Sequence, residues 1–165
     1  ISQLGWPMTD DAKQLFLADR VRALATVILT RHEDLSIAET KRSTGLDFHV
    51  YIDREDKPMR LAFGVMLRGV PSTVPADGAN EILGPTMGQF RGMRKFTYPI
   101  CLFFFSMRDD RAYFSWLAEP ILNGGVPKLV HRDEADCVEL TDDLIDRSVE
   151  RIVEWYDAVE GVLIA

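Results

Sequence analysis

The residues of this chain that can do chemistry are few and scattered. His131 stands just ahead of Asp133, Glu134 and Asp136, a set of metal-binding types in one short stretch. Nothing in its spacing fixes a ligand geometry, and the stretch reads as a solvated acidic loop. Arg91, Arg94 and Lys95 fall on one face if their segment is helical, and with Lys41 and Arg42 they form the candidate basic patch. Such a patch can touch phosphates or a negatively charged protein, or it can be an exposed helix face. His49 sits in a strand-like segment with no second ligand near it and reads as a hydrogen-bonded structural residue. Nucleophile schemes fail: there is no Gly-x-Ser-x-Gly elbow, and neither Cys101 nor Cys137 has a histidine close in sequence. Gly84-Pro85-Thr86-Met87-Gly88 lacks the lysine and hydroxyl of a phosphate loop.

Composition narrows the partners. The chain has 165 residues, 47% hydrophobic and 27% charged, the balance of an ordinary folded domain. Twenty-six acidic residues against nineteen basic ones leave a net charge of −7. A nucleic-acid binder working alone normally has the opposite sign, since displacing counterions from phosphates takes Lys and Arg. Nucleic acid therefore stays possible only through a local basic face, and a protein partner or a larger assembly is the leading expectation. The longest apolar run, Tyr98 to Met107, is about half of what a membrane helix needs, so no membrane is expected. The two cysteines are far apart and read as small buried hydrophobes. With no charged-then-apolar leader at the start, the expected location is cytoplasmic.

The elements that must position these residues follow from periodicity. Thr9-Asp10-Asp11 starts a helix that runs to about Arg31, with Leu17, Val21, Leu24 and Ile28 as its apolar face. Leu35–Thr40, Phe48–Ile52 and Leu61–Leu67 read as three antiparallel strands, separated by Gly-, Pro- and charge-rich breaks. Val70 to Asn80 reads as a loop, and a glycine-rich helix is expected between Glu81 and Lys95. Thr97–Met107 has no polar face and should be a fully buried strand. Asp109-Asp110 turns the chain into a strand over Arg111–Leu117, Asn123-Gly124-Gly125 is a loop, and Cys137–Leu140 is a short candidate strand. Thr141 caps a last helix whose Ile145, Val149, Ile152, Val153 and Tyr156 share a face. Trp6, in Gly5-Trp6-Pro7, pins the N-terminal segment or anchors a partner. The expectation is one α/β (α+β) domain over 1–165, a mixed sheet flanked by helices.

This order resembles the core of the PD-(D/E)xK nuclease superfamily, in which a helix precedes a strand hairpin, the second strand opens with Asp and the third carries (D/E/Q)-x-K. Thr44-Gly45-Leu46-Asp47-Phe48-His49-Val50 looks like the entry to that second strand. Phe63-Gly64-Val65-Met66-Leu67-Arg68-Gly69 looks like the third, written V-(Q/E)-V-K-G in a bacterial branch of unknown function found in defence-type multidomain proteins. Tyr98–Phe105 is similar to that branch's P-V-hydrophobic strand, and Asp109–Leu117 to its D-x-A-Y-W-x-W strand. The resemblance spans about residues 11–117, with a C-terminal helix at about 141–158, and implies a restriction-endonuclease-like sheet.

The resemblance also implies a metal site, and here the chain departs from it. Such a nuclease holds Mg²⁺ through hard oxygen ligands, so that the ion polarises the phosphate and activates water. Asp47 supplies one carboxylate, and it is the one residue assigned to a metal. Met66 occupies the second ligand position with a soft thioether, a poor match for Mg²⁺. Arg68 replaces the lysine and stays protonated, so it stabilises phosphate charge without acting as a base. If the domain is active, Asp47 and Arg68 are its catalytic pair, Mg²⁺ or Mn²⁺ is its cofactor, and Glu39, Asp53 or Asp19 must supply the displaced carboxylate. Otherwise no cofactor is expected. In that case Asp47 opens a strand after a glycine turn, Met66 fills core space, and Arg68 reaches solvent or pairs with Asp47. The expectation is a catalytically inactive nuclease-like domain that binds or assembles; the alternative is an active metal-dependent nuclease.

Overall fold

The computed structural model describes residues 10–40, 45–57 and 60–164. Trp6, Lys41 and Arg42 lie outside them. Helix α1, Asp10–Thr30, occupies the expected span. Its packing face is set one position round from the expected one. Val21, Ala25 and Leu29 are buried, whereas Leu17, Leu24 and Ile28 flank them half-buried. A small residue at the centre of that face lets the helix lie close to the sheet.

Among the described residues the sheet has seven strands: β1 Leu35–Glu39, β2 Phe48–Ile52, β3 Leu61–Val70, β4 Ile100–Ser106, β5 Arg111–Asn123, β6 Val126–His131 and β7 Val138–Glu139. They lie in the order β1-β2-β3-β4-β5-β6, with β7 beside β5. The first three are antiparallel neighbours, as alternation indicated. Next, β3 pairs parallel to β4, from Gly64↔Ile100 to Val70↔Ser106. A parallel pair needs a crossover, and residues 71–99 provide it over one face of the sheet. Strand β4 is central and buried along its whole length, which explains its continuous apolar sequence.

The crossover differs from the expected loop followed by a helix. Helix α2 is Ala76–Leu83, starting inside the stretch read as loop, and Gly84–Lys95 is a 3₁₀ helix. Pro85 has no N–H to return to residue 81, and the glycines that follow weaken α-helix further, so the tighter helix takes over. Strand β5 also runs past the expected end at Leu117. Pro120 follows the last pairing with β4, Ile100↔Ala118, so its missing N–H costs no bond there, and β5 continues against β6. Asn123-Gly124-Gly125 is therefore part of a hairpin and not a plain loop. Gly124 and Gly125 have φ of 61° and 83°, the double positive φ that a two-residue hairpin turn requires.

Helix α3, Asp142–Ile164, is capped as expected: Leu144 N–H donates to Thr141 Oγ1 at 3.1 Å. It buries Ile145, Val149, Ile152 and Val153 against the same sheet face as α1. Helix α2 and the 3₁₀ helix cover the other face, over a second cluster that includes Met66, Leu83, Phe90, Leu102 and Phe104. The protein is thus a mixed α/β fold with helices on both faces of one mixed sheet. Among the described residues no helix is long and apolar enough to cross a membrane. Cys101 and Cys137 are both free and buried, and burial pushes the Cys137 thiol up to about 11.

Gly69 is where α1 and β3 come closest. A Cβ there would lie 2.7 Å from Val21 Cγ2 and 3.3 Å from the Phe105 carbonyl oxygen. Gly69→Ala should therefore cost about 1–3 kcal/mol in urea unfolding, and Val21→Ala in the same chain should recover part of the loss.

Candidate functional site

The site grows out of the place where β2 begins beside a longer neighbour. Gly45 has φ of 80° and swings the chain into the strand, and Leu46 is buried beneath it. A side chain at Gly64 would meet Leu46 Cδ2 at 3.0 Å, so the bare glycine makes room for that leucine. Asp47 N–H donates to the Val65 carbonyl at 3.1 Å, which places Asp47 beside Met66. Past this point β3 continues without β2 at its side. The Asp47 side chain fills the gap: Leu67 N–H donates to Oδ2 at 2.8 Å. A bond from a backbone donor to a charged acceptor contributes about 1.5–3 kcal/mol.

Two arginines converge on the same carboxylate. Arg22 Nη1 is 3.6 Å from Oδ1 and Arg68 Nη1 is 3.8 Å from Oδ2. The groups are partly solvated, so each ion pair adds no more than about 1 kcal/mol. Both guanidinium groups are held from behind as well. Arg22 lies 4.9 Å over the Phe48 ring, Arg68 lies 5.1 Å over Phe90, and Arg68 Nη1 donates to the Leu67 carbonyl at 2.7 Å. The result is an open cleft of about 460 Å³ between α1 and the end of β3, with Leu17, Val21 and Leu67 on its apolar side.

The residues present do not fit a divalent metal. Met66 is 4% exposed in the cluster under α2 and the 3₁₀ helix. Asp47 already serves one N–H and two cations. Among the described residues no three His, Cys, Asp or Glu side chains group as a metal site. Of the displaced carboxylates, Asp53 follows the last residue of β2, at the opposite end of the strand from Asp47, where it accepts from Arg60 Nε at 3.1 Å and Ser36 Oγ at 3.0 Å. Asp19 is exposed on α1 and does not line the cleft. Glu39 pairs through its backbone with Phe48, which places it next to Asp47 in register. The structure therefore brings together Asp47 and Arg68, and brings neither Asp53 nor Asp19 to them.

The expected basic patch changes shape. With three residues per turn, Arg91 and Arg94 share a face but Lys95 is turned away from them, over Phe96 at 5.3 Å. Arg94 pairs with Asp133, and Arg132 with Glu119 at 2.9 Å, so the loop that holds His131, Asp133, Glu134 and Asp136 is tied down by arginines. Tyr98 Oη and His49 Nε2 share a hydrogen bond at 2.8 Å, and burial pushes the tyrosine hydroxyl up to about 12.

Arg22 is the site residue that sequence reasoning missed. Ala18, Val21 and Arg22 share a helical face, so a cation at the edge of the packing stripe was visible. Nothing in the sequence tied it to a carboxylate twenty-five residues on. No family model, curated protein or solved structure matches this chain.

Replacing the Asp47 carboxylate separates its two duties. Asp47→Asn keeps an acceptor for Leu67 N–H but loses both ion pairs and should cost about 1–2 kcal/mol, whereas Asp47→Ala also leaves that donor without its acceptor and should cost about 1–3 kcal/mol more in the same urea titration.

Proposed function

We propose that this domain is a nuclease-like fold without nuclease chemistry, acting in the cytoplasm as a binding or assembly module of a larger, defence-type system. The observation that carries this reading is the state of Asp47. The carboxylate that such a nuclease would offer to a metal is engaged here by the Leu67 amide and by Arg22 and Arg68. The order of helix, three antiparallel strands, crossover and parallel fourth strand supports a restriction-endonuclease-like core. So does the register that sets Asp47 beside Met66.

The electrostatics favour binding over catalysis. A guanidinium stays protonated at any working pH, so Arg68 can hold an anion but cannot take a proton from water. With Met66 buried, the cleft also lacks a second hard ligand beside Asp47 at the family's position. What remains is a fixed cationic rim around one carboxylate, suited to docking a polar or anionic group of a partner.

Incubation with single-stranded DNA, duplex DNA and RNA in Mg²⁺ and in Mn²⁺ is expected to leave every substrate intact. Metal-dependent cleavage abolished by Asp47→Asn would overturn the proposal in favour of an active nuclease with a displaced carboxylate. A folded Met66→Glu/Arg68→Lys variant is expected to gain Mn²⁺ binding, and its failure to do so would contradict the alignment of β3 with the family's third strand.

A further inference from the structure

Among the described residues, the second sheet face is covered over only half its width. The cluster beneath α2 and the 3₁₀ helix draws on β3, β4 and β5. On β1 and β2 the side chains of that face, Ser36, Ala38, His49 and Tyr51, are half-buried and not buried. Across this open half runs a chain of rings. Tyr51 and His49 are 6.4 Å apart between centroids, His49 and Tyr98 5.7 Å, and Tyr98 and Phe96 5.4 Å, each pair edge to face. A cation stands at each end: Arg60 lies 4.5 Å over Tyr51, and Lys95 lies 5.3 Å over Phe96.

Several features hold this track in place. A hydrogen bond of 2.8 Å between Tyr98 Oη and His49 Nε2 fixes the two central rings. Arg60 is anchored by Asp53 at 3.1 Å and by Ser36 Oγ at 3.0 Å, so the guanidinium sits over Tyr51 while its side chain stays 61% exposed. The rings are therefore ordered before any ligand arrives, and little freedom is lost on binding.

The charge of the molecule is divided between the two faces. Helix α3, on the far side of the sheet, carries seven acids against two arginines, a net −5 of the chain's −7. On the same side as the rings the 3₁₀ helix carries three cations, offset by Asp77 and Glu81 of α2 and by the pairing of Arg94 with Asp133. The acidic total therefore does not describe this face.

We propose that the track Tyr51–His49–Tyr98–Phe96 binds a short stretch of single-stranded nucleic acid, with bases stacking on the rings and phosphates meeting Arg60 and Lys95. Sequence-tolerant binders of single strands combine these two elements, aromatic faces for bases and cations along the backbone. An aromatic ridge also suits a proline-rich peptide, but such a peptide brings no anionic groups to the two terminal cations. The inference does not depend on nuclease ancestry, since none of these residues belongs to the Asp47 cleft.

The test is fluorescence anisotropy on the full chain with labelled oligo-dT and oligo-U of about 12 nucleotides, against a duplex of the same length. Saturable binding of the single strands, at least about tenfold tighter than the duplex, is expected. Tyr51→Ala should weaken it about tenfold, while Tyr51→Phe, which keeps the ring, should stay within about twofold. With two phosphate contacts, raising salt from about 50 to about 200 mM should cost about sevenfold. Unfolding curves confirm that the variants are folded, and His49→Ala serves as a second ring deletion if Tyr51→Ala is not. Absence of oligonucleotide binding overturns the proposal, as does binding that survives both ring deletions but is lost in Arg68→Ala, which would move the ligand to the cleft. Capture of a proline-rich peptide with no affinity for either oligonucleotide would overturn it in favour of a peptide site.

Discussion

A backbone amide without a strand partner governs the architecture around the cleft. Strand β3 outruns β2, and the Leu67 N–H falls where the neighbouring strand has ended. Asp47 completes the ladder with a side chain in place of a backbone carbonyl, and in doing so fixes where its own carboxylate points. The two arginines then follow. Arg68 is one residue past Leu67 on β3, and Arg22 is brought in by α1, whose approach depends on Gly69 having no side chain. A carboxylate committed to an amide and flanked by two cations is a stable arrangement with little left to offer a metal.

Much of this was legible in the sequence because local rules agreed with the fold. Alternation in Phe48–Ile52, the unbroken apolar run of β4 and the Thr141 cap each specify an element, and each formed where expected. The misreadings arose where a local signal pointed the other way. Strand β5 runs past its expected end at Leu117 and on through Pro120, which falls beyond the last β4 pairing, where a missing donor is harmless. Gly124 and Gly125 read as loop residues because their positive φ serves loops and tight hairpins alike. The glycines between 84 and 92 weaken α-helix without saying that a 3₁₀ helix replaces it.

The site was legible in part, for a different reason. Asp47, Met66 and Arg68 lie on adjacent strands of one hairpin, so register alone brings them together. Arg22 and Tyr98 arrive from elements far off in the chain, and only the packed structure pairs them with Asp47 and His49. The same limit applies to charge. A net −7 describes the chain as a whole, whereas folding sets the acids of α3 and the cations of the 3₁₀ helix on opposite faces of the sheet. Composition cannot report that separation, and it decides which partners each face can meet.

Calorimetric titration of Mn²⁺ into the purified protein, with Asp47→Asn as the control, distinguishes a structural acceptor and counterion from a metal ligand at Asp47. With the carboxylate engaged by the Leu67 amide and two arginines, no site-specific heat is expected in either protein. A stoichiometric Mn²⁺ isotherm that disappears in Asp47→Asn would mean instead that the carboxylate exchanges its arginines for a metal.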